Sequence, residues 1–254
     1  MIPDWQLPSG VDRGLWDYLH AADMVAGYDE QMRSSHLARA DVAFCEYAFR
    51  APGKLLDLGC GTGRLCAHFA AKGFECVGVD LSDEMLAKAR ENAPTATFLN
   101  ANLVELGELP ERSFDYAACL FSTLGMVRGA ENRAKVLANA FRVLKPGGRF
   151  VLHAHNRFYR GLGWKQVTAQ RLKTLFGRAT AGDVTMPQAY GGAPLTLHHF
   201  TFGEAWRLLG AAGFEKKAHQ RVSERKYLPG QRWPNGTYGY LFLGQRPTAA
   251  PNGA

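Results

Sequence analysis

Apolar residues recur along this chain at two periods, and the switches between them mark its elements. From residue 11 to 50 the spacing is helical, first Leu15, Tyr18 and Leu19, then Leu37, Ala40, Phe44, Tyr47 and Ala48. A short apolar run, Leu55 to Leu58, then enters the turn Gly59-Cys60-Gly61-Thr62-Gly63, beyond which Leu65, Phe69 and Ala70 return to helical spacing. This is a strand-loop-helix unit whose missing Cβ atoms let a ligand approach the backbone. A second run, Cys76 to Val79, ends on Asp80; Ser82 is placed to cap the helix carrying Met85, Leu86 and Ala89, with Asp83 and Glu84 at its positive end. Phe98-Leu99, Asp115 to Phe121 and Arg149 to His155 read as further strands. Between the last two, Val136, Leu137, Ala140, Phe141 and Leu144 form one helix face, stopped by Pro146-Gly147-Gly148. Alternating strands and helices predict an α/β fold with a parallel, doubly wound sheet.

Residues 157–200 interrupt that rhythm. They mix glycines, prolines, basic residues and the aromatics Phe158, Tyr159, Trp164, Phe176, Tyr190 and Phe200, and read as an inserted lid or substrate segment, partly helical from Gln166 to Phe176. Thr201-Phe202-Gly203-Glu204 is a capping-box pattern opening a helix through Trp206 and Leu209. Phe214 to Val222 and Tyr238 to Gln245 read as two last strands. The expected organisation is one domain over 1–246: a helical cap (1–50), a ligand-binding half (51–156), the insert (157–200) and a C-terminal helix and hairpin (201–246), with 247–254 a disordered tail.

Charge changes this picture more than composition does. The net charge of +7 is uneven: residues 1–156 carry 16 Lys and Arg against 19 Asp and Glu, whereas residues 157–232 carry 13 against 4. A basic region beside a mildly acidic half fits an anionic small molecule or RNA, or simply a solvated surface. With 46% hydrophobic residues a single core is affordable. The five cysteines form no CxxC pair and read as reduced packing residues. No apolar stretch is long enough to span a membrane and the first residues lack the pattern of a signal peptide, so a cytoplasmic protein without a membrane partner is expected.

The chemistry lies in the glycine turn and Asp80. An acid at the end of the second strand can accept both hydroxyls of a ribose. The turn departs from G-x-G-x-x-G, since counting from Gly59 the third position is Arg64, and counting from Gly61 it is Cys66. That disfavours NAD. Asp57, just ahead of the glycines, would repel a pyrophosphate and attract an ammonium group. Asp57 to Gly63 with Asp80 resembles the first two motifs of the class I S-adenosylmethionine-dependent methyltransferases (type 11/25-like domain). The likeness continues through Val79 to Leu86, Ser113 to Tyr116 and Val143 to Phe150, and covers roughly residues 28–156, then 201–246 more loosely.

The resemblance implies a Rossmann-like, seven-stranded, mostly parallel sheet ending in an antiparallel hairpin strand, and S-adenosylmethionine as cofactor with S-adenosylhomocysteine as product. By matching motif, Gly59, Cys60, Gly61 and Gly63 would pass close to the methionine part and ribose, Asp57 would support the amino end, and Asp80 would bind the ribose hydroxyls. Leu81 and Met85 would lie near adenine, with Asn102, followed by Leu103, where the family often has an acid for the adenine amino group. Cys119, Leu120 and Phe121 would face the sulfonium, and Tyr28 would close over the amino-acid end beneath the N-terminal helices.

Displacement at a sulfonium needs positioning more than a base. If one acts, His155 is favoured over His153, both lying on one face of the fifth strand, because open α/β sheets bind ligands at strand carboxyl ends. Core histidines are the plainer reading of the pair. Asn156, Tyr159, His198 and His199 are candidate substrate-binding residues. A metal role for His153 and His155 lacks an adjacent third ligand, so none is expected. Leu120-Phe121-Ser122-Thr123 replaces the Asn/Asp-Pro-Pro-aromatic motif of many amino-methyltransferases, and no Pro-Cys loop is present for C5 methylation of pyrimidines. Methylation of a small molecule, an anionic one included, leads; tRNA modification through the basic region, and cofactor binding without catalysis, are the alternatives.

Overall fold

The structure, a computed structural model, describes residues 3–21, 27–29, 32, 35–178, 180–186, 194–223 and 236–248. Strands β1 (Lys54–Leu58), β2 (Glu75–Asp80), β3 (Thr97–Asn100), β4 (Phe114–Cys119) and β5 (Leu144–His155) pair in parallel. Two further strands, β8 (Glu215–Val222) and β9 (Gly239–Gln245), complete a seven-stranded sheet in the order β3-β2-β1-β4-β5-β9-β8, with β9 antiparallel to both neighbours. The α/β, doubly wound reading and its terminal hairpin are borne out.

Strand alternation divides the core into two layers. Leu56, Leu58, Val79, Cys119, Phe150 and Leu152 face helices α5 (Thr123–Met126), α6 (Ala130–Val143) and α8 (Phe202–Ala211). Leu55, Cys76, Ala118, Val151 and Leu243 face α2 (His36–Ala48), α3 (Arg64–Ala70) and α4 (Asp83–Asn92). All five cysteines are buried and free. The predicted caps form: Ser82 Oγ accepts from the Met85 N–H, and Thr201 and Glu204 close a capping box at α8.

Three elements differ from the pattern. The N-terminal segment contains α1 (Arg13–Leu19) and α2, with most of 22–34 outside the described residues. β5 begins at Leu144 rather than Arg149, because Lys145 to Gly148 continue it as an irregularity in its pairing with β4, steadied by a Gly147 N–H bond to the Arg246 carbonyl. Within the insert, α7 (Trp164–Leu175) matches the predicted helix, but an antiparallel pair, β6 (Asp183–Met186) and β7 (Leu195–His198), appears that four-residue apolar alternations did not distinguish from loop. The expected disorder of the tail covers residues 247–254, of which 249–254 lie outside the described residues. No helix among the described residues is long and apolar enough to cross a membrane.

Candidate active site

Strand order reverses where β1 lies between β2 and β4, and the crevice at their carboxyl ends is where open α/β sheets take ligands. The turn after β1 is shaped by its backbone. Gly59 and Cys60 both donate their N–H to the Val79 carbonyl, at 2.8 and 3.0 Å, and Gly59 stands at φ +77° with no room for a Cβ, which would fall on the Thr123 side chain. Gly61, at φ +52°, donates its N–H to Asp80 Oδ2 at 2.8 Å, while Asp80 Oδ1 accepts from the Ser82 N–H at 3.1 Å. Each Asp80 oxygen thus keeps a lone pair for a ligand. Burial raises the Asp80 pKa, against the pull of those N–H groups.

Two cavities meet along Gly59, Tyr18, Tyr28, Thr123 and Met126. The smaller, of about 110 Å³, is lined by Asp80, Leu81, Met85, Asn102 and Leu103 beside Gly61. The larger, of about 770 Å³, takes in Asp57, Cys60, Arg64, Leu120 and Phe121, and beyond them His155, Tyr159, His199 and Tyr238. Asp57 is 3% exposed, and burial pushes its carboxyl up to about 7, against the attraction of Arg64 and with added repulsion from Asp80 and Asp41. Burial likewise pushes the Tyr28 phenol up to about 12.

The histidines separate. His155 lines the larger cavity, with ring centroids 4.6 Å from Tyr238, 5.4 Å from His199 and 6.2 Å from Phe121. Burial, with His153 and His199 nearby, holds its pKa well below the ordinary imidazole value, so it is neutral. His199 is lowered by burial to about 4, against the pull of the Asn156 backbone. His153 shares the strand face but not the cavity: its Nδ1 lies 2.7 Å from Asp41 Oδ1, both side chains fully buried. His198 is also off the cavity, with Nδ1 2.8 Å from Asp183 and Nε2 2.9 Å from Glu204, in a cluster closed by Arg157.

Other expected residues are placed just as distinctly. Asn102 borders the smaller cavity, yet its side chain caps the Val104 N–H and donates to the Ser9 carbonyl, leaving one lone pair on its oxygen. Asn156 spends its side chain on the Thr237 carbonyl and the Phe158 N–H and lines neither cavity. Gly63 opens α3 and Cys119 is fully buried in the sheet core, both away from the cavities. Phe121 and Ser122 occupy consecutive left-handed positions, at φ 49° and 63°, a conformation that costs non-glycine residues on the order of 1–3 kcal/mol each and concentrates at functional sites. Sequence reading missed Tyr238 and Thr123, for which no motif signalled, and met Arg64 only as the residue that breaks the dinucleotide spacing.

Comparison with known proteins adds family membership. A family described as "Methyltransferase domain" matches residues 55–148. The putative methyltransferase YqeM of Bacillus subtilis is 33% identical over 109 residues, 42% of this chain and 44% of that protein. Demethylmenaquinone methyltransferase of Thermus thermophilus is 32% identical over 180 residues, 65% of this chain and 76% of that protein. The solved structure of Burkholderia thailandensis 1,6-didemethyltoxoflavin-N1-methyltransferase with bound 1,6-didemethyltoxoflavin and S-adenosylhomocysteine superposes with a TM-score of 0.61 at 20% identity, covering 97% of this chain and 93% of that one. The chain spans about half the length of several other curated relatives it matches. A match over three quarters of the Thermus enzyme, on a sheet whose glycine turn and Asp80 stand at its switch point, places the chain among the class I S-adenosylmethionine-dependent methyltransferases.

Proposed function

We propose that this chain transfers a methyl group from S-adenosylmethionine to a small, uncharged, largely apolar acceptor. The observation that carries the reading is the two-lobed cavity, with Asp80 in one lobe and Asp57 and His155 in the other. The residues fit the donor. Asp80 has two free lone pairs for a ribose diol, and Leu81, Met85 and Leu103 form apolar walls for a flat base. Asp57, a buried carboxyl raised to about 7, gains a natural counter-ion in an α-ammonium group. Tyr28 spans both lobes, and Asn102 offers its remaining lone pair to an adenine amino group.

When bound, S-adenosylmethionine supplies an electrophilic methyl group on a sulfonium. The chain's own residues position the acceptor and exclude water, with Leu120 and Phe121 walling the junction and Tyr159, His199 and Tyr238 lining the far end. His155, neutral and at that end, is the group to take a proton from an acceptor hydroxyl or amine. An anionic acceptor has less support: Arg64 is the one Lys or Arg among the described lining residues, and it donates to the Ala38 carbonyl and lies 3.5 Å from Asp41. The Thermus relative, by its name, acts on demethylmenaquinone, and the Burkholderia structure holds 1,6-didemethyltoxoflavin; both are small molecules, which agrees with a small-molecule acceptor.

The test is calorimetry with S-adenosylmethionine, S-adenosylhomocysteine and NAD, followed by methyl transfer to a panel of hydroxylated and aminated aromatic compounds. Binding of both sulfur compounds but not NAD, with turnover on uncharged rings, is expected. Binding without turnover on any member of the panel would favour the non-catalytic alternative.

A further inference from the structure

The insert presents an outward face that the methyl-transfer reading does not use. Along α7, Trp164, Thr168, Leu172 and Leu175 recur at three- and four-residue spacing, with Phe176 at its end, and lie outward. Trp164 is 75% exposed, Leu175 78% and Phe176 70%. Gln170 is the helix's buried residue, where its amide bonds Gly182 and Asp183 and so anchors the helix by its polar side. The usual amphipathic arrangement is thus inverted, since a helix in a water-soluble core turns its large apolar residues inward.

Charge on this face has one sign. From residue 157 to 182 there is no Asp or Glu, and there are six basic residues, of which only Arg157 is buried in an ion pair, with Glu204. Lys165 lies over the Trp164 ring and Arg171 over Phe158, so the cations edge the apolar stripe. The same segment borders the larger cavity through Tyr159, Gly161 and Leu162, and Met186 of β6 does so while itself exposed.

We propose that this face docks onto an anionic lipid surface, with Trp164, Leu175 and Phe176 entering the interface and Lys165, Arg171 and Lys173 meeting acidic headgroups. Apolar side chains on one helical face with basic residues beside them are what binds a helix flat on such a surface. A nucleic acid would use the aromatic rings but gain nothing from Leu172 and Leu175, because stacking requires a π-face. A second copy meeting this face across a two-fold axis would bring two all-basic patches together. The proposal departs from the expectation of no membrane partner and stands independently of which acceptor is methylated.

The experiment is co-sedimentation of the full chain with phosphatidylcholine vesicles, with and without phosphatidylglycerol, at low and high salt. The wild type is expected to pellet with the acidic vesicles and to be released by salt. Trp164→Ser/Leu175→Ser/Phe176→Ser should lower vesicle affinity roughly tenfold or more, and Lys165→Glu/Arg171→Glu should remove the preference for acidic lipid, both with unchanged melting temperature and S-adenosylmethionine binding. If the triple variant melts early, Leu175→Ser alone carries the test with a smaller loss of the same sign. Absence of vesicle binding by the wild type, or binding that survives the apolar substitutions, overturns the proposal. So does a dimer that these substitutions dissociate, or RNA binding that charge reversal abolishes and Leu175→Ser spares.

Discussion

The two lobes of the cavity share a wall and differ in what builds them. Around Asp80 the specific contacts come from main chain: two N–H groups on the carboxylate, two more on the Val79 carbonyl, and a glycine with no space for a Cβ. Around His155 they come from side chains delivered by separate elements, the ends of β4 and β5, residue 199 after β7 and residue 238 before β9. A lobe made of backbone cannot change shape without moving strands. A lobe made of side chains can be refitted by substitution while the sheet stays as it is, so on the proposed reading the half that takes the donor should be brittle and the half that takes the acceptor adjustable.

The largest break should come at Gly59. Gly59→Ala adds a Cβ onto Thr123 in a left-handed position, which costs about 1–2 kcal/mol for the backbone and about 1–3 kcal/mol for overpacking. Loss of cofactor binding with a markedly lower melting temperature is expected. Thr123→Ala in the same chain should recover part of the stability, the steric part, and leave the backbone cost. A Gly59→Ala protein that melts and binds like the wild type would show that the turn is looser than its geometry.

Asp57 sharpens the comparison through pH. Its folded-state pKa, about 7, lies above the value of 3.8 for the unconstrained side chain. Below that lower value both folded and unfolded chains hold the proton and nothing is lost. As pH rises through 4 to 7 the unfolded chain ionises first, so a destabilisation on the order of a few kcal/mol grows in and is complete above about 7. Without cofactor, Asp57→Asn should therefore melt higher than the wild type at pH 8 and nearly level with it at pH 4. Cofactor binding, by bringing an ammonium group, should expel the proton; calorimetry near pH 6.5 in buffers of different ionisation enthalpy would detect its release. Equal apparent enthalpies in all buffers would remove Asp57 from the amino-end role.

At Asp80 the effect should be smaller and of mixed origin. In its proposed role, Asp80→Ala removes acceptors for two ribose hydroxyls, about 2–3 kcal/mol or roughly a 30- to 150-fold loss of affinity. It also leaves the Gly61 and Ser82 N–H groups without their partner, so melting temperature should fall too. Unchanged affinity would sink the ribose assignment. His155→Asn acts on the adjustable lobe: turnover should fall roughly tenfold to a hundredfold while cofactor affinity holds. Full turnover would leave the histidine a wall and not a base.

What could be read in advance follows the same division. The glycine turn, Asp80 and the caps at Ser82 and Thr201 are local: each needs only residues a few positions away, so spacing along the chain revealed them. The lobe around His155 was legible only as candidates. Alternation puts His153 and His155 on one face of β5, and nothing in that pattern says that Asp41 of α2 meets the first while the second is left to the cavity. His198 and His199 are neighbours in the chain yet point to opposite fates, one into a carboxylate cluster and one to the cavity. Tyr238 enters because β9 threads between β5 and β8, a tertiary event without a local signature.

The smallest expected effect tests where the two lobes divide at the end of β4. The family pattern puts Cys119 opposite the sulfonium, but strand alternation sends it into the fully buried layer under α6, and burial pushes its thiol up to about 12. Leu120 and Phe121 are the residues that turn to the cavity, through the strained pair Phe121 and Ser122. Cys119→Ser should thus cost about 1–2 kcal/mol of stability, from a hydroxyl placed in an apolar layer, with cofactor affinity and turnover within roughly twofold of the wild type, a change of about 0.4 kcal/mol or less. Leu120→Ala, one residue on, should reverse that pattern, with turnover falling more than stability because the wall against water is opened at the junction of the lobes. If instead Cys119→Ser lowered cofactor affinity tenfold, the side chain would have to reach the donor, and the division between a backbone-built and a side-chain-built lobe would have to be redrawn one residue earlier along β4.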